Sequence, residues 1–236
     1  MFILEKTDIS AIIYKVLFTE VYMYLNRFLR LLLSLPVFAF SAALSIQSGI
    51  GVNAWDTFAL GVANVTPFAY GTIVMITGIV VLVIDIILKE PFGIGTIMDI
   101  MIIGKLTDLI LNLHIIPSFN GIFSVIALII SLFIASIGTY LYMSAGLSVG
   151  PRDMLMLALT KRFKNLPVGL IKGIIEAVVF VIGFMLGAPV GIGTIICVFG
   201  TGFILEITLR TLHLDVRKVH QENIYETASH LAHAHK

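Results

Sequence analysis

The chain has 236 residues, of which 58% are hydrophobic and 12% charged, and its formal net charge is +1. Soluble domains carry about 25% charged residues, so this composition excludes an ordinary cytosolic globule and a disordered chain. No basic tract of the kind that binds nucleic acid is present. Four runs without Asp, Glu, Lys or Arg span 25 to 43 residues each, namely Leu31–Trp55, Thr57–Ile84, Leu109–Pro151 and Ala177–Leu205. A membrane span needs about 20 apolar residues, so the sequence predicts an all-α, polytopic membrane helix bundle.

The first half of the chain begins with an amphipathic segment, residues 1–26, where apolar residues recur at helical spacing among charged ones. This pattern is typical of a helix lying on the inner membrane surface. An apolar span at about 28–48 follows, and then a short segment at about 54–65. Two further spans are predicted at about 69–88 and 93–112.

The second half of the chain repeats the first. Ser48–Asp56 resembles Ala145–Asp153 at an offset of 97 residues, and Phe92–Thr96 resembles Val190–Thr194 at an offset of 98. Two separate blocks at nearly one offset indicate an internal duplication. The predicted parts are the amphipathic segment 1–26, membrane repeat 1 at 27–116, membrane repeat 2 at 117–211, and a polar, His-containing cytoplasmic tail at 212–236.

The two short segments, 54–65 and 152–163, decide the predicted topology. About a dozen residues are too few to cross a bilayer upright, which favours re-entrant or interfacial helices. If neither segment crosses, the outer loops at 49–68, 113–118 and 188–190 contain no Lys or Arg. The positive-inside rule then favours six spans plus two short non-crossing helices, two inverted repeats, and both termini in the cytoplasm of a cell-membrane protein.

Glycines mark the predicted helix breaks. One set precedes the short helices, and the other opens the last span of each repeat: Gly49, Gly51, Gly146 and Gly150, then Gly93, Gly95, Gly191 and Gly193. The first set suits turns, because glycine accepts backbone angles that other residues avoid. The second set favours close helix packing, and a loosened helix start at a binding site is the alternative.

Ionisable residues within apolar segments are candidates for a substrate or ion site, because such residues usually pair or line an aqueous cavity. They are Asp56, Asp153, Asp108, Glu206, Lys105, Lys172, Glu176 and Asp99. Asp56 and Asp153 begin the short helices, where each either caps backbone N–H groups or binds a solute or cation. Lys105 with Asp108, and Lys172 with Glu176, have the spacing of helical ion pairs. These pairs are either structural or proton-linked switches. Asp85 is expected to reach the inner interface.

Other chemistry has little support in the sequence. The lone Cys197 is expected to be buried, and the tail histidines have poor spacing for a metal site, so we expect a solvated, partly helical tail and no metal or cofactor. No His-Glu-x-x-His or Gly-x-Ser-x-Gly motif is present, so no catalytic residue is assigned and an enzyme is not expected.

The glycine and acid motifs resemble a known family. Gly49–Val52 with Ala54–Asp56, Gly146–Asp153, and Gly191–Thr194 followed by Gly200 look like the YczE-like group of the YczE/YyaS/YitT bacterial membrane proteins. The resemblance covers about 28–211. It implies a multi-pass bacterial cell-membrane protein and carries no assigned site residues.

Three functions are compatible with these features. The first is a secondary-transporter-like carrier or channel for a small solute or ion, favoured because inverted repeats with half-length helices recur in transporters. The alternatives are a non-transporting accessory membrane protein and a substrate-binding subunit of a larger transporter. Besides the lipid bilayer, a protein partner or a second copy of the chain is possible, and the sequence does not choose between these.

Overall fold

The computed structural model describes residues 3–68, 70–188 and 190–233, with side chains described from residue 22 onward except at 69–71, 75, 189 and 231–236. These residues form helices joined by turns and loops. The helices are α1 (Ile3–Gln47), α2 (Ala54–Val65), α3 (Tyr70–Ile87), α4 (Ile94–Met98), α5 (Gly104–Asn112), α6 (Ile122–Ala145), α7 (Pro151–Arg162), α8 (Val168–Met185), α9 (Ile192–Thr211) and α10 (Ile224–His233). A π-helical segment, Asp99–Ile103, lies between α4 and α5.

The prediction of an all-helical membrane protein is confirmed. Four stretches of the described chain are long and apolar enough to cross a bilayer: Tyr22–Gln47 of α1, and helices α6, α8 and α9. Thr72–Ile87 of α3 is apolar but shorter. The last predicted span of repeat 1 consists of α4, the π-helical segment and α5 in direct succession.

Helix α1 continues without a break from Ile3 to Gln47, with Pro36 inside it. The predicted boundary between the amphipathic segment 1–26 and the first span therefore falls inside one helix. The apolar face predicted for that segment lies on side chains outside the described part of the chain.

Helices α1 and α6 pack against each other and run antiparallel. At one end of their contact, in the middle of α1, the Arg27 Nε donates to the carbonyl of Ala145, at the end of α6, over 2.7 Å. Near the other end, the backbone N–H of Phe119, just before α6, donates to the Gln47 carbonyl over 3.2 Å. These two helices, which are equivalent in the predicted repeat, therefore point in opposite directions.

Each short helix packs on a long helix of the other repeat. Helix α2 contacts α8, and α7 contacts α3. The α2–α8 contact is close, because a Cβ placed on Gly61 would lie 2.4 Å from the carbonyl oxygen of Gly183. The largest group of buried apolar side chains lies where α6, α7, α8 and α9 meet, and includes Tyr142, Met154 and Leu205. Helices from both repeats therefore surround the two short helices.

Candidate functional site

The loop before each short helix docks on the opposite repeat. In one loop, the carbonyl of Ile50 accepts from the N–H of Gly193 at the start of α9, over 2.9 Å. In the other, the carbonyl of Leu147 accepts from the N–H of Gly95 at the start of α4, over 3.0 Å. The two hydrogen bonds join equivalent residues of the repeats in reciprocal order. We call residues 50–52 the outer loop and 147–149 the inner loop, after the predicted topology.

Threonine hydroxyls reinforce both contacts. Thr194 Oγ1 accepts from the backbone N–H of Val52, over 3.2 Å. Its counterpart Thr96 donates to the carbonyl of Val149 over 2.7 Å and lies 2.9 Å from the Ser148 hydroxyl. These bonds satisfy backbone groups of non-helical chain, which membrane depth otherwise makes costly.

The eight predicted helix-break glycines all lie in or beside these loops. Of those before the short helices, Gly49, Gly51 and Gly146 have φ of 69°, 150° and 67°, which favours glycine, whereas Gly150 is the extended N-cap of α7. Gly93 and Gly191 are the extended N-caps of α4 and α9.

The four glycines that open α4 and α9 pack closely on the two loops. A Cβ at Gly95 would lie 2.1 Å from the Ser148 carbonyl oxygen, and one at Gly191 would lie 2.1 Å from that of Ile50. A Cβ at Gly93 would lie 2.8 Å from the Cβ of Ser148. A Cβ at Gly193 would lie 2.9 Å from the Cγ1 of Ile50. These helix starts are therefore closely packed against the two loops, whereas the prediction was close packing between helices.

The N-terminal turns of the two short helices lie side by side. The guanidinium of Arg152, in the first turn of α7, lies over the ring of Trp55, in the first turn of α2, at 4.9 Å from the ring centroid. Attraction between a cation and an aromatic face stabilises this arrangement. The N-cap of α2 is Asn53, whose side chain accepts from the N–H of Asp56 over 3.1 Å. Asp56 therefore lies in the first turn of α2, after the N-cap residue.

Asp153 pairs with a lysine of the next helix. Its Oδ1 lies 2.8 Å from Nζ of Lys172 on α8, and both side chains are mostly buried. The predicted pairing of Lys172 with Glu176 along α8 is thus replaced by a pair between helices. An ion pair of this kind costs desolvation of both groups, so removing either partner leaves a poorly solvated charge.

Glu176 lies one turn beyond Lys172 and is the most buried acid of this group. The residue is 6% exposed, and its Oε2 has no hydrogen-bond partner among the described residues. Its electrostatic neighbours include Lys172, Asp153 and Arg152. A buried carboxylate oxygen without a donor is available to a cation or a polar solute.

Asp99 comes to the same place from the π-helical segment. A Cβ on Gly150, the N-cap of α7, would lie 2.4 Å from the Asp99 Oδ2, so the carboxylate lies against the start of the short helix. Its charged neighbours include Asp153 and Arg152. Asp99 therefore lies close to the first turn of α7. π-Helical turns occur frequently at functional sites. We call Asp56, Asp99, Arg152, Asp153, Lys172 and Glu176 the central cluster.

Comparisons with known proteins support the class of the chain. A family of unknown function, DUF6198, matches residues 25–210. The chain belongs to this family. An uncharacterised protein of Haemophilus influenzae is 30% identical over 193 residues, which is 80% of this chain and 87% of that protein. The uncharacterised membrane protein YczE of Bacillus subtilis is 26% identical over 178 residues, 74% of this chain and 81% of its own length. No solved structure matches. The resemblance to YczE-like membrane proteins is confirmed.

Three predicted site residues of this DUF6198 chain lie apart from the central cluster. Lys105 and Asp108 are exposed on α5, and no ion pair between them is found in the described chain. Glu206 accepts from the N–H of Gly169 over 2.9 Å and from Arg210 over 2.7 Å, near the end of α9. Asp108 and Glu206, which are equivalent at the 98-residue offset of the repeat, therefore lie on different helices and share no described partner.

Asp85 was expected at the interface and is buried instead. It is 1% exposed on α3, and neither carboxylate oxygen has a hydrogen-bond partner among the described residues. In the repeat it corresponds to Gly183, at which α2 and α8 approach closely. An acid aligned with a tightly packed glycine was the sequence signal that could have predicted this burial.

The tail contains the largest departure from prediction. Gln221 and Glu222 are 3% and 4% exposed, so a fully solvated tail is wrong for this stretch. The Gln221 side chain accepts from the N–H of Ser148 over 3.1 Å and donates to the Met143 carbonyl over 3.0 Å. Glu222 accepts from the Arg27 guanidinium. The tail thus covers the inner loop. No periodic pattern in the sequence predicts this contact.

Helix α10 begins with a reciprocal cap just beyond that contact. The Asn223 side chain accepts from the N–H of Glu226, and the Asn223 N–H donates to the Glu226 carboxylate, both over 2.9 Å. The latter bond, with His220 nearby, holds the pKa of Glu226 below its usual value. The cap fixes the tail direction immediately after Glu222.

Proposed function

We propose that the chain crosses the membrane six times as two inverted repeats, with α2 and α7 as half-length helices and both termini in the cytoplasm. The antiparallel packing of α1 and α6 and the reciprocal docking of the two loops support this arrangement. Residues 94–112, with α3, supply the remaining crossings. At about 1.5 Å per residue, 94–112 extends about 28 Å, close to the 30 Å hydrocarbon thickness.

We further propose that the chain is a carrier or channel for a small solute, without enzymatic activity. The observation that carries this proposal is the contact between Trp55 and Arg152, which brings the N-terminal turns of both half-length helices together. In secondary transporters, discontinuous helices meet near the bilayer midplane and bind solute there. Here the same junction contains the central cluster.

The charge of the central cluster favours a cationic solute. Besides Asp56, the cluster has three carboxylates, those of Asp99, Asp153 and Glu176, and two cations, those of Arg152 and Lys172. Lys172 is engaged by Asp153, and Arg152 lies on the Trp55 ring. A monovalent cation or a small protonated amine would compensate the excess of acid, with Glu176 Oε2 as the open acceptor.

The topology is tested by cysteine accessibility. In a Cys197→Ser background, Asn64→Cys and Lys164→Cys place single thiols at exposed positions in the last turn of α2 and just beyond α7. We expect a membrane-impermeant maleimide to label Asn64→Cys in intact cells, and Lys164→Cys only in inside-out vesicles. Labelling of both from the same side would overturn the inverted arrangement.

Transport is tested by electrical recording from proteoliposomes on a solid-supported membrane. Jumps of sodium, potassium and methylammonium chloride are compared for the wild type, Glu176→Gln and Asp108→Asn. We expect a current with at least one cation, a loss of about tenfold in Glu176→Gln, and no loss in Asp108→Asn, because Asp108 is exposed and outside the central cluster. A silent wild type would overturn the cation carrier, and an unchanged Glu176→Gln would overturn the assigned site.

A further inference from the structure

A cleft opens where α8 begins and α9 ends. Its volume is about 500 Å³, and it lies between the α7–α8 connection and the segment after α9. Basic or titratable side chains at its edge are those of Lys164, Arg210, His213 and Arg217. Because α8 and α9 are long enough to span the bilayer, this cleft lies at the depth where a span meets the lipid headgroups.

The two carboxylates that line the cleft already have hydrogen-bond or ion-pair partners within the protein. Glu206 accepts from both the Gly169 N–H and Arg210. Asp215 accepts from the Arg217 N–H over 3.1 Å and lies 3.4 Å from Nζ of Lys218. The charges that remain for a ligand are therefore mainly those of Lys164 and Arg217.

The Arg217 side chain is positioned by one hydrogen bond and has further N–H donors that can bind an anion. Its Nη2 donates to the Leu166 carbonyl, which ties the segment after α9 to the α7–α8 connection. A guanidinium has five N–H donors in a planar fork, so further donors are available to an oxyanion. Lys164 is exposed in the same connection and adds a flexible point charge.

The remaining lining of the cleft is apolar. Apart from the polar Asn165, the lining includes the exposed Pro167, the half-buried Leu166, Val168 and Leu214, and the buried Leu209 and Val216. A free phosphate would gain nothing from this surface, whereas a phospholipid would place its phosphate at the cations and its glycerol and upper acyl chains on the apolar residues. The mixed lining therefore favours a lipid over a soluble anion.

We propose that this cleft binds the phosphate of an anionic phospholipid headgroup from the inner leaflet. Basic pockets on the cytoplasmic side of membrane helices recognise such headgroups, and each Lys or Arg near the surface strengthens binding by about fivefold. The proposal requires that α8 and α9 cross the bilayer, and it does not depend on any transport activity. A negative result for lipid binding would therefore leave the proposed role of the central cluster unaffected, and the reverse is also true.

The test uses the full chain purified in neutral detergent. Phosphatidylglycerol and phosphatidylcholine are added separately, and bound lipid is counted by native mass spectrometry for the wild type, Lys164→Gln, Arg217→Lys and Arg162→Gln. Arg162 is an exposed base on the same side that does not line the cleft, so it is the matched control. Identical melting temperatures in phosphatidylcholine establish that each variant is folded.

We expect phosphatidylglycerol to bind the wild type and Arg162→Gln equally, and Lys164→Gln about fivefold more weakly. Arg217→Lys keeps the charge but loses the fork, so an intermediate loss is expected. Equal losses in Lys164→Gln and Arg162→Gln would overturn the cleft as the site. Displacement of the lipid by millimolar inorganic phosphate would overturn the lipid as its occupant.

Discussion

The inner and outer loops are equivalent in the repeat and differ in how they are held. Both dock on the first turn of a helix from the other repeat through one backbone hydrogen bond and one threonine. The inner loop has a further layer, because Gln221 binds its Ser148 N–H and Glu222 joins Arg27 beside it. Among the described residues, the tail therefore covers the inner loop and not the outer loop.

The helix contacts behind the loops differ in the same sense. On the outer side, α2 meets α8 through Gly61 and Gly183 with no room for side chains. On the inner side, the α3–α7 contact has Asp85 at the position equivalent to Gly183, and Lys161 of α7 lies 2.5 Å from Glu90 just beyond α3. One half-length helix is held by close apolar packing, and the other by a contact that includes charged groups.

The largest effect is expected where the outer packing is closest. A Cβ at Gly183 would lie 2.7 Å from backbone atoms of Phe58, so Gly183→Val must separate α2 from α8. We expect the free energy of unfolding to fall by about 3 kcal/mol or more, because the added side chain would clash with backbone atoms that cannot move aside without separating the helices. Thermal unfolding in detergent measures it. Gly173→Val, where a Cβ meets nothing within 4 Å, is the control, and equal melting temperatures for both variants would contradict the distinction.

The next effect concerns the cover on the inner loop. Glu222→Ala leaves the partly buried Arg27 without its carboxylate, which costs about 2–3 kcal/mol. We also expect a Ser148→Cys thiol to react faster with maleimide when Glu222 is replaced, because the tail then detaches. A Val52→Cys thiol in the outer loop serves as the comparison. If the replacement of Glu222 raises the maleimide reaction rates of both thiols equally, the tail does not specifically cover the inner loop.

Asp85 offers a change in the opposite direction. Its buried carboxylate has no partner among the described residues, so Asp85→Ala is expected to stabilise the protein by about 1 kcal/mol. Asp108→Ala is the matched control, since that acid is exposed and its removal is expected to be neutral. A lower melting temperature for Asp85→Ala would mean that the carboxylate has an energetic role in the α3–α7 contact.

The last comparison is between the two threonines, whose expected losses differ by about 1 kcal/mol. Thr96 contacts both Ser148 and Val149, whereas Thr194 accepts one bond, from Val52. At about 1 kcal/mol for each buried hydrogen bond, Thr96→Val is expected to lower stability about twice as much as Thr194→Val. The ratio of the two losses, measured in the same detergent, is the observable. A larger loss for Thr194→Val would mean that the outer loop depends more on its side-chain bond.

Several features were predictable because they depend on local sequence. The charge-free runs predicted membrane helices, and the short helices at 54–65 and 152–163 were found as α2 (Ala54–Val65) and α7 (Pro151–Arg162). Glycine positions predicted the close helix starts, since a missing side chain matters where backbones approach. Which acids would form ion pairs was not predictable, because an ion pair depends on which helices become neighbours in the folded protein.

The sequence by itself determined the class of the protein and the bounds of its two short helices, and it predicts an internal duplication, because hydrophobic length and repeat offset depend only on the order of residues in the chain. Only the tertiary structure decided that Asp153 pairs with Lys172, that Asp85 is buried, and that Glu222 reaches Arg27. Arg27 and Glu222 are 195 residues apart in sequence. Such contacts follow from the packing of whole helices, which no spacing within a single segment encodes.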